Sequence, residues 1–233
     1  MNVNQLQPAT QKVAGFFFSG DFSVNGLVHP HLERIDRAID ALRAERLRLT
    51  GAAPTVAYQG VPGAFSEDAA RALAGDDAHL QPLDTLDDVF QALSLGVAEF
   101  AVIPVENSLA GPVPRAAELI RRHGCRVMAE HSLRIAHALI GCPGATITDV
   151  RSASSHPVAL AQCRKFFEAH PQIAQVAAFD TAGAAAAIVC AGDVHAAAIA
   201  STRAAALYGG AILLSEIQDR RDNFTRFVVA AKA

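Results

Sequence analysis

The chain has 233 residues, of which 51% are hydrophobic and 18% charged, and a formal net charge of -3. That is apolar material for a sizeable core and length for two lobes. It excludes the broad basic field that nucleic acid requires, and no apolar run is long enough to span a bilayer, so neither nucleic acid nor membrane is an expected partner. Residues 1–10 are polar and lack a basic stretch followed by an apolar core, which predicts a cytoplasmic protein. Cys125, Cys142, Cys163 and Cys190 form no C-x-x-C pair and suggest neither a zinc site nor a disulfide framework. Reduced, partly buried thiols are expected, with no metal and no cofactor.

Residues 1–50 read as an extension. Residues 1–30 show no periodicity, whereas Leu32, Ile35, Ile39, Leu42 and Leu47 stand near helical spacing with charges between them. One amphipathic helix over 31–49 is predicted, packing on the main body or on a second subunit. The breaker cluster 51–54 then opens a second unit, residues 51–233. Strands are predicted at 55–59, 100–105, 150–153, 173–179, 196–200 and 224–230. Helices are predicted at 65–74, from a Thr85/Asp88 cap to about residue 95, and at 114–123, 157–169, 181–190 and 202–207. Residues 125–140 hold extended segments. Strands alternating with helices predict an α/β fold with mainly parallel sheets, in which ligand groups sit in loops just past strand ends.

Five polar clusters fall at such places. The turn Gly60-Val61-Pro62-Gly63 leads through Ala64, Phe65 and Ser66 into a helix whose free N–H groups suit an anion, although a plain tight turn explains it as well. Glu106-Asn107-Ser108 directly follows an apolar strand, where burial of an acid and an amide calls for a purpose; helix capping is the simpler alternative. Ser155-His156-Pro157 offers an N-cap hydroxyl near an anion site, or a Ser cap with Pro in the first turn. Asp180-Thr181 is another capped helix start. The fifth, residues 219–227, runs from a charged loop into a strand carrying Thr225, Arg226 and Phe227, where Thr reads as a strand former and Arg as a surface ion pair. Residue pattern alone ends at an α/β protein with several polar helix starts that could form an anion cleft.

Together these segments resemble one family, prephenate dehydratase and its relative arogenate dehydratase. The matching stretches are Ala57-Tyr58-Gln59-Gly60-Val61-Pro62-Gly63-Ala64-Phe65-Ser66, Ile103-Pro104-Val105-Glu106-Asn107-Ser108 and Ser155-His156-Pro157 with Ala159-Leu160-Ala161-Gln162-Cys163. Asp180-Thr181-Ala182, Ala197-Ala198-Ile199-Ala200-Ser201 and Asn223-Phe224-Thr225-Arg226-Phe227 complete the set, in the family's order, over residues 54–230.

The resemblance implies two α/β lobes in a periplasmic-binding-protein-like fold with a small-molecule substrate in the inter-lobe cleft. It implies loss of hydroxide and CO2 from prephenate to give phenylpyruvate in phenylalanine biosynthesis. Thr225 would donate a hydrogen bond to the departing oxygen. By matching position, Asn107, Ser108 and Ser155 would orient the substrate. Ala64, Phe65, Ser66 and Thr181 would line the cleft, and Phe227 would pack near it. Glu106 and His156 would support the site, and Arg226 would either meet a carboxylate or hold Thr225. Val158 stands where the family often has Gln, and Pro114-Arg115-Ala116-Ala117 departs from the family's Thr-bearing helix. The chain stops at Ala233 after the last strand, so no ACT module and no phenylalanine feedback through one are expected. A dimer or larger homo-oligomer is expected. The alternatives are arogenate as substrate, a non-aromatising prephenate decarboxylase, and a two-lobed anion-binding protein without turnover.

Overall fold

The computed structural model describes residues 53–75 and 77–233. The extension 1–50 and its predicted amphipathic helix lie outside the described residues. The first lobe runs through β1 (Thr55–Gln59), α1 (Phe65–Ala74), β2 (His79–Leu83), α2 (Leu86–Leu95), β3 (Phe100–Asn107), β4 (Gly111–Pro112), α3 (Pro114–Arg122) and β5 (Arg126–Arg134). The chain then crosses to a second lobe of β6 (Ala138–Gly141), β7 (Ser152–Ser155), α4 (Pro157–Ala161), α5 (Arg164–Ala169), β8 (Ala174–Ala177), α6 (Thr181–Ala191), β9 (Ala196–Ala200), α7 (Thr202–Tyr208) and β10 (Ala211–Leu214). It returns once, as β11 (Phe224–Ala231), to complete the first sheet.

The strand orders are β2-β1-β3-β11-β5, with β4 on β3, and β10-β6-β9-β7-β8. The expectation of mainly parallel sheets is corrected here, because both sheets are mixed. β1 runs parallel to β2 and β3, but β11 enters from the other lobe and runs against both β3 and β5. In the second sheet β7 is parallel to β8 and β9, while β6 and β10 are antiparallel to their neighbours.

Side-chain alternation places each sheet between two apolar layers. Ala57 joins Val89, Phe90, Leu93 and Leu119 on one face of the first sheet. Its neighbours Val56 and Tyr58 join Leu73, Val102 and Phe227 on the other. In the second sheet Ile140 and Ala198 face the alanines of α6, whereas Leu139 and Ile199 face Phe166 and Phe167.

Local chemistry sets several boundaries. Thr85 and Asp88 form a complete capping box at α2, and Gly96, at φ 72°, ends it. The single helix expected over 157–169 is instead α4 and α5. The Asp219 N–H donates to the Gln162 carbonyl at 2.7 Å, and the Asp219 carboxylate accepts the Lys165 N–H at 2.9 Å. A residue from the return crossover thus both terminates one helix and starts the next. β2 was not legible as a strand, since Pro82 interrupts it; Pro is tolerated because β2 is an edge.

The turn after β1 fastens the lobes together. Gly63 has φ +89°, and a Cβ there would lie 3.1 Å from Ala204 Cα. The Ser201 hydroxyl donates to the Gly63 carbonyl at 2.9 Å, and the Tyr208 hydroxyl to the Pro62 carbonyl at 2.6 Å. Glu67, almost fully buried, accepts from the Gly63 N–H at 2.6 Å and from Arg71 and Arg203. Burial alone would raise the Glu67 pKa; the Gly63 N–H and the two guanidinium groups outweigh it and hold the carboxyl below its usual range. No helix among the described residues is long and apolar enough to cross a membrane.

Candidate active site

A cavity of about 650 Å³ lies where the β1, β3 and β11 ends of the first lobe meet the helix starts of the second. Its wall includes Ala64, Phe65 and Ser66 from the start of α1, Asn107 from the end of β3, His156 before α4, Thr181 at the start of α6, and Thr225 on β11. These seven predicted residues, far apart in sequence, face one space. α1 and α6 both begin at this wall, and among the described residues no side chain caps the α1 start at Ala64. Uncapped first-turn N–H groups and the helix dipole make that start a place for a carboxylate.

Ser108, Ser155, Glu106, Arg226 and Phe227 do not line this cavity. Ser155 is fully buried and donates to the Ile199 carbonyl at 2.6 Å. The α4 N-cap is His156, whose ring nitrogen accepts the Val158 N–H at 3.2 Å. The reading of Ser155 as a cap hydroxyl is thereby corrected: it ends β7 and points into the sheet. The Ser108 hydroxyl donates to the Asp222 carbonyl and accepts the Phe224 N–H, both at 3.0 Å, so it ties the loop to β11. Phe227 is core, packed with Val56 and Tyr58. Arg226 bridges Glu106 at 2.9 Å and Glu130 at 3.2 Å, joining the three strands β3, β11 and β5. None of the four cysteines lines the cavity, and burial pushes the Cys163 thiol up to about 12, with Asp219 adding to it. Among the described residues no group of three or more His, Cys, Asp or Glu is placed to hold a metal ion.

Amide side chains connect the two lobes beneath the cavity. Asn107 Nδ2 donates to Asn223 Oδ1 at 2.8 Å and to Thr225 Oγ1 at 3.0 Å. Asn107 Oδ1 accepts the N–H groups of Leu109 at 3.0 Å and Ala110 at 2.8 Å, which settles which end of the amide is oxygen. Asn223 Nδ2 donates to Gln162 Oε1 at 2.9 Å, and Gln162 Nε2 reaches Asn107 Oδ1 at 3.4 Å. Because Thr225 Oγ1 already accepts a hydrogen, its own proton is free to point into the cavity. Gln162 and Asn223 had appeared only as parts of motifs, and nothing near them in sequence shows that they meet. His137, Gln59, Asp84 and Phe179 also line the wall and were not singled out.

The family description "Prephenate dehydratase" matches residues 56–233. The chain belongs to the prephenate dehydratase family. It is 41% identical to "Arogenate dehydratase 1" of Petunia hybrida over 97% of this chain and 54% of that protein. It therefore spans about half the length of the curated relatives it matches. Two solved structures share this family's two-lobed α/β fold with the chain. One, described as GqqA, a novel type of quorum quenching acylase, has 38% identity and a TM-score of 0.70, covering 77% of this chain and 64% of that one. The other, a prephenate dehydratase from Arthrobacter aurescens in complex with L-Phe, has 29% identity and a TM-score of 0.72, covering 77% and 60%.

Proposed function

We propose that residues 51–233 form a catalytic unit that converts prephenate to phenylpyruvate, with Thr225 as the hydrogen-bond donor to the departing hydroxyl. The observation that carries this reading is the Asn107 amide 3.0 Å from Thr225 Oγ1, which leaves the threonine proton for the cavity. In the proposed reaction the bond from the ring to its carboxylate breaks and CO2 leaves. The electron pair moves through the ring and expels hydroxide from the opposite carbon. Thr225 stabilises charge only as it grows on that oxygen, so its contact strengthens in the transition state. Restored aromaticity drives the step, and the protein's task is to hold the ring and its carboxylates in register. The start of α1, at Phe65 and Ser66, and Thr181 are the proposed carboxylate contacts. Glu106 and Arg226 hold β11, and through it Thr225, in place. Ser155 and Ser108 support the loops and Phe227 the core behind them.

A second reading has one observation in its favour. Asp84 and Asp180 line the cavity, and no Arg or Lys is among the described residues that line it. Arogenate carries an ammonium where prephenate carries a keto group, so it places one positive charge where two carboxylates are at hand. The Petunia relative is named for arogenate.

Side-by-side turnover of both acids tests these readings. Phenylpyruvate from prephenate supports the first, and preferred formation of phenylalanine from arogenate supports the second. A non-aromatic diene that keeps the hydroxyl would replace both with decarboxylation, and binding without product would remove the enzymatic reading. Asp84→Asn is expected to lower the arogenate-to-prephenate rate ratio if the charge argument holds.

We further propose a homo-oligomer, dimer or larger, with residues 1–50 contributing to the contact, and the cytoplasm as its compartment. All four cysteines are free, which suits a reducing compartment. Deletion of residues 1–50 without change of size in sedimentation would count against the proposed contact.

A further inference from the structure

His137 is 2% exposed, yet its Nδ1 has no hydrogen-bond partner among the described residues. It sits on the crossover between β5 and β6, at the seam of the lobes. Its main chain is held on both sides by the return crossover. The His137 N–H donates to Gln218 Oε1 at 2.8 Å, and its carbonyl accepts the Ile217 N–H at 3.0 Å. Its ring meets the Phe65 ring edge-on at 5.6 Å, on the wall of the cavity. So fixed a ring, with one nitrogen left unpaired, calls for a physical account.

The other nitrogen supplies it. His137 Nε2 is 3.0 Å from Gln162 Oε1, which also accepts from Asn223 Nδ2 at 2.9 Å. An amide oxygen only accepts, so Nε2 carries the hydrogen. The neutral ring then has a bare Nδ1. Protonating it would bury a second N–H and a charge with no acceptor for them among the described residues. Burial already lowers the His137 pKa, against the Gln162 hydrogen bond.

The chain of amides from Gln162 through Asn223 to Asn107 is therefore pinned at both ends. The Leu109 and Ala110 N–H groups fix Asn107 at one end. The His137 Nε2–H fixes Gln162 at the other. Between them each amide presents its NH2 to the next oxygen. Reversing Gln162 would set its NH2 against that of Asn223. Reversing Asn223 would leave the Asn107 NH2 without its oxygen and loosen its hold on Thr225.

We propose that His137 is a positioning residue: as the neutral Nε2–H tautomer it fixes the polarity of the Gln162–Asn223–Asn107 relay so that Thr225 presents its proton to the cavity. This inference rests on the proposed role of Thr225, and its test has a part that does not. His137→Phe keeps a ring of similar volume and removes the donor. His137→Gln offers an amide N–H near the position of Nε2. The expected result is a fall in kcat of about 10- to 100-fold for His137→Phe with KM little changed, and recovery of most of the rate in His137→Gln. A residue that only filled space would show the opposite order, with Phe tolerated better than Gln. The imidazole 15N spectrum of the wild-type protein, assigned by its loss in His137→Gln, reports the tautomer directly. It should show a protonated Nε2 and bare Nδ1 at neutral pH. A protonated Nδ1, or equal rates in all three proteins, overturns the proposal. If the wild type turns over neither acid, the dehydratase reading fails while the spectrum still decides the tautomer.

Discussion

Asn107 and Thr225 are a registered pair on antiparallel strands β3 and β11, and the Asn107 amide nitrogen donates to the Thr225 hydroxyl oxygen at 3.0 Å. Cross-strand neighbours on one face come within reach of such a bond as a matter of sheet geometry. The result is a polarity in which the amide donates and the hydroxyl accepts, leaving the Thr225 proton free.

Asn107→Asp should reverse that polarity without changing shape. A carboxylate cannot donate, so the Thr225 proton would turn to it and away from the cavity. Its other oxygen would still accept the Leu109 and Ala110 N–H groups. The expected outcome is a fall in kcat of about 100-fold, measured by initial rates, with the melting temperature shifted far less than the rate suggests.

Arg226 is expected to serve the sheet and not the substrate. Its guanidinium meets Glu106 and Glu130 on the two flanking strands, with 30% of the side chain exposed. Arg226→Met leaves two carboxylates without their shared cation. After allowance for solvent screening, a loss of about 1 kcal/mol in denaturant unfolding is expected. KM should stay within about twofold of wild type; a large rise in KM with unchanged stability would instead place Arg226 at a carboxylate of the substrate.

Asp68 supplies a pH dependence of stability. Burial pushes its pKa from 3.8 up to about 6, Arg203 opposes the shift, and Glu67 adds to it. The Arg203 Nε lies 3.1 Å from the Asp68 carboxylate but is too poorly aligned to count as a hydrogen bond, so the ion pair does not cancel the burial. Because the folded pKa lies above the unfolded one, the native state binds more protons between these values. Stability therefore rises as the pH falls through about 6 toward 3.8, so far as this group decides. Asp68→Asn should stabilise the protein by about 1–2 kcal/mol at neutral pH and lose that gain near pH 4, as followed by urea unfolding.

Gly63→Ala should damage the seam between the lobes. The residue is held at φ +89°, and the added Cβ would meet the Ala204 backbone at 3.1 Å. Strain and contact together are expected to cost about 2 kcal/mol or more. Since Ala64, Phe65 and Ser66 follow directly, KM should rise as well; a variant with wild-type melting and wild-type KM would contradict the fastening role of this turn.

The distribution of what the sequence disclosed follows from the range of the forces involved. Thr85 with Asp88, Pro157 before a helix and the apolar run of β3 act within a few residues and were legible. The Gly60–Gly63 turn was legible as a turn but not as a fastener between lobes, because Ser201, Arg203 and Tyr208 are about 140 residues away in the chain. The split at Gln162 is imposed by Asp219, and the mixed sheets by the return of β11, both long-range events. In the site, Thr225 and Asn107 stood out through family resemblance. His137 did not, because a His in an extended segment carries no local signal; only the meeting of Gln162 with Asn223 gives its Nε2 a task.

The most direct test is the turnover of prephenate and arogenate by the wild type, Thr225→Val and Thr225→Ser. Val keeps the β-branched shape and removes the hydroxyl; Ser keeps the hydroxyl. The account predicts that Val loses at least about 100-fold in kcat with little change in KM, and that Ser retains most of the activity. Full activity in Thr225→Val would contradict it.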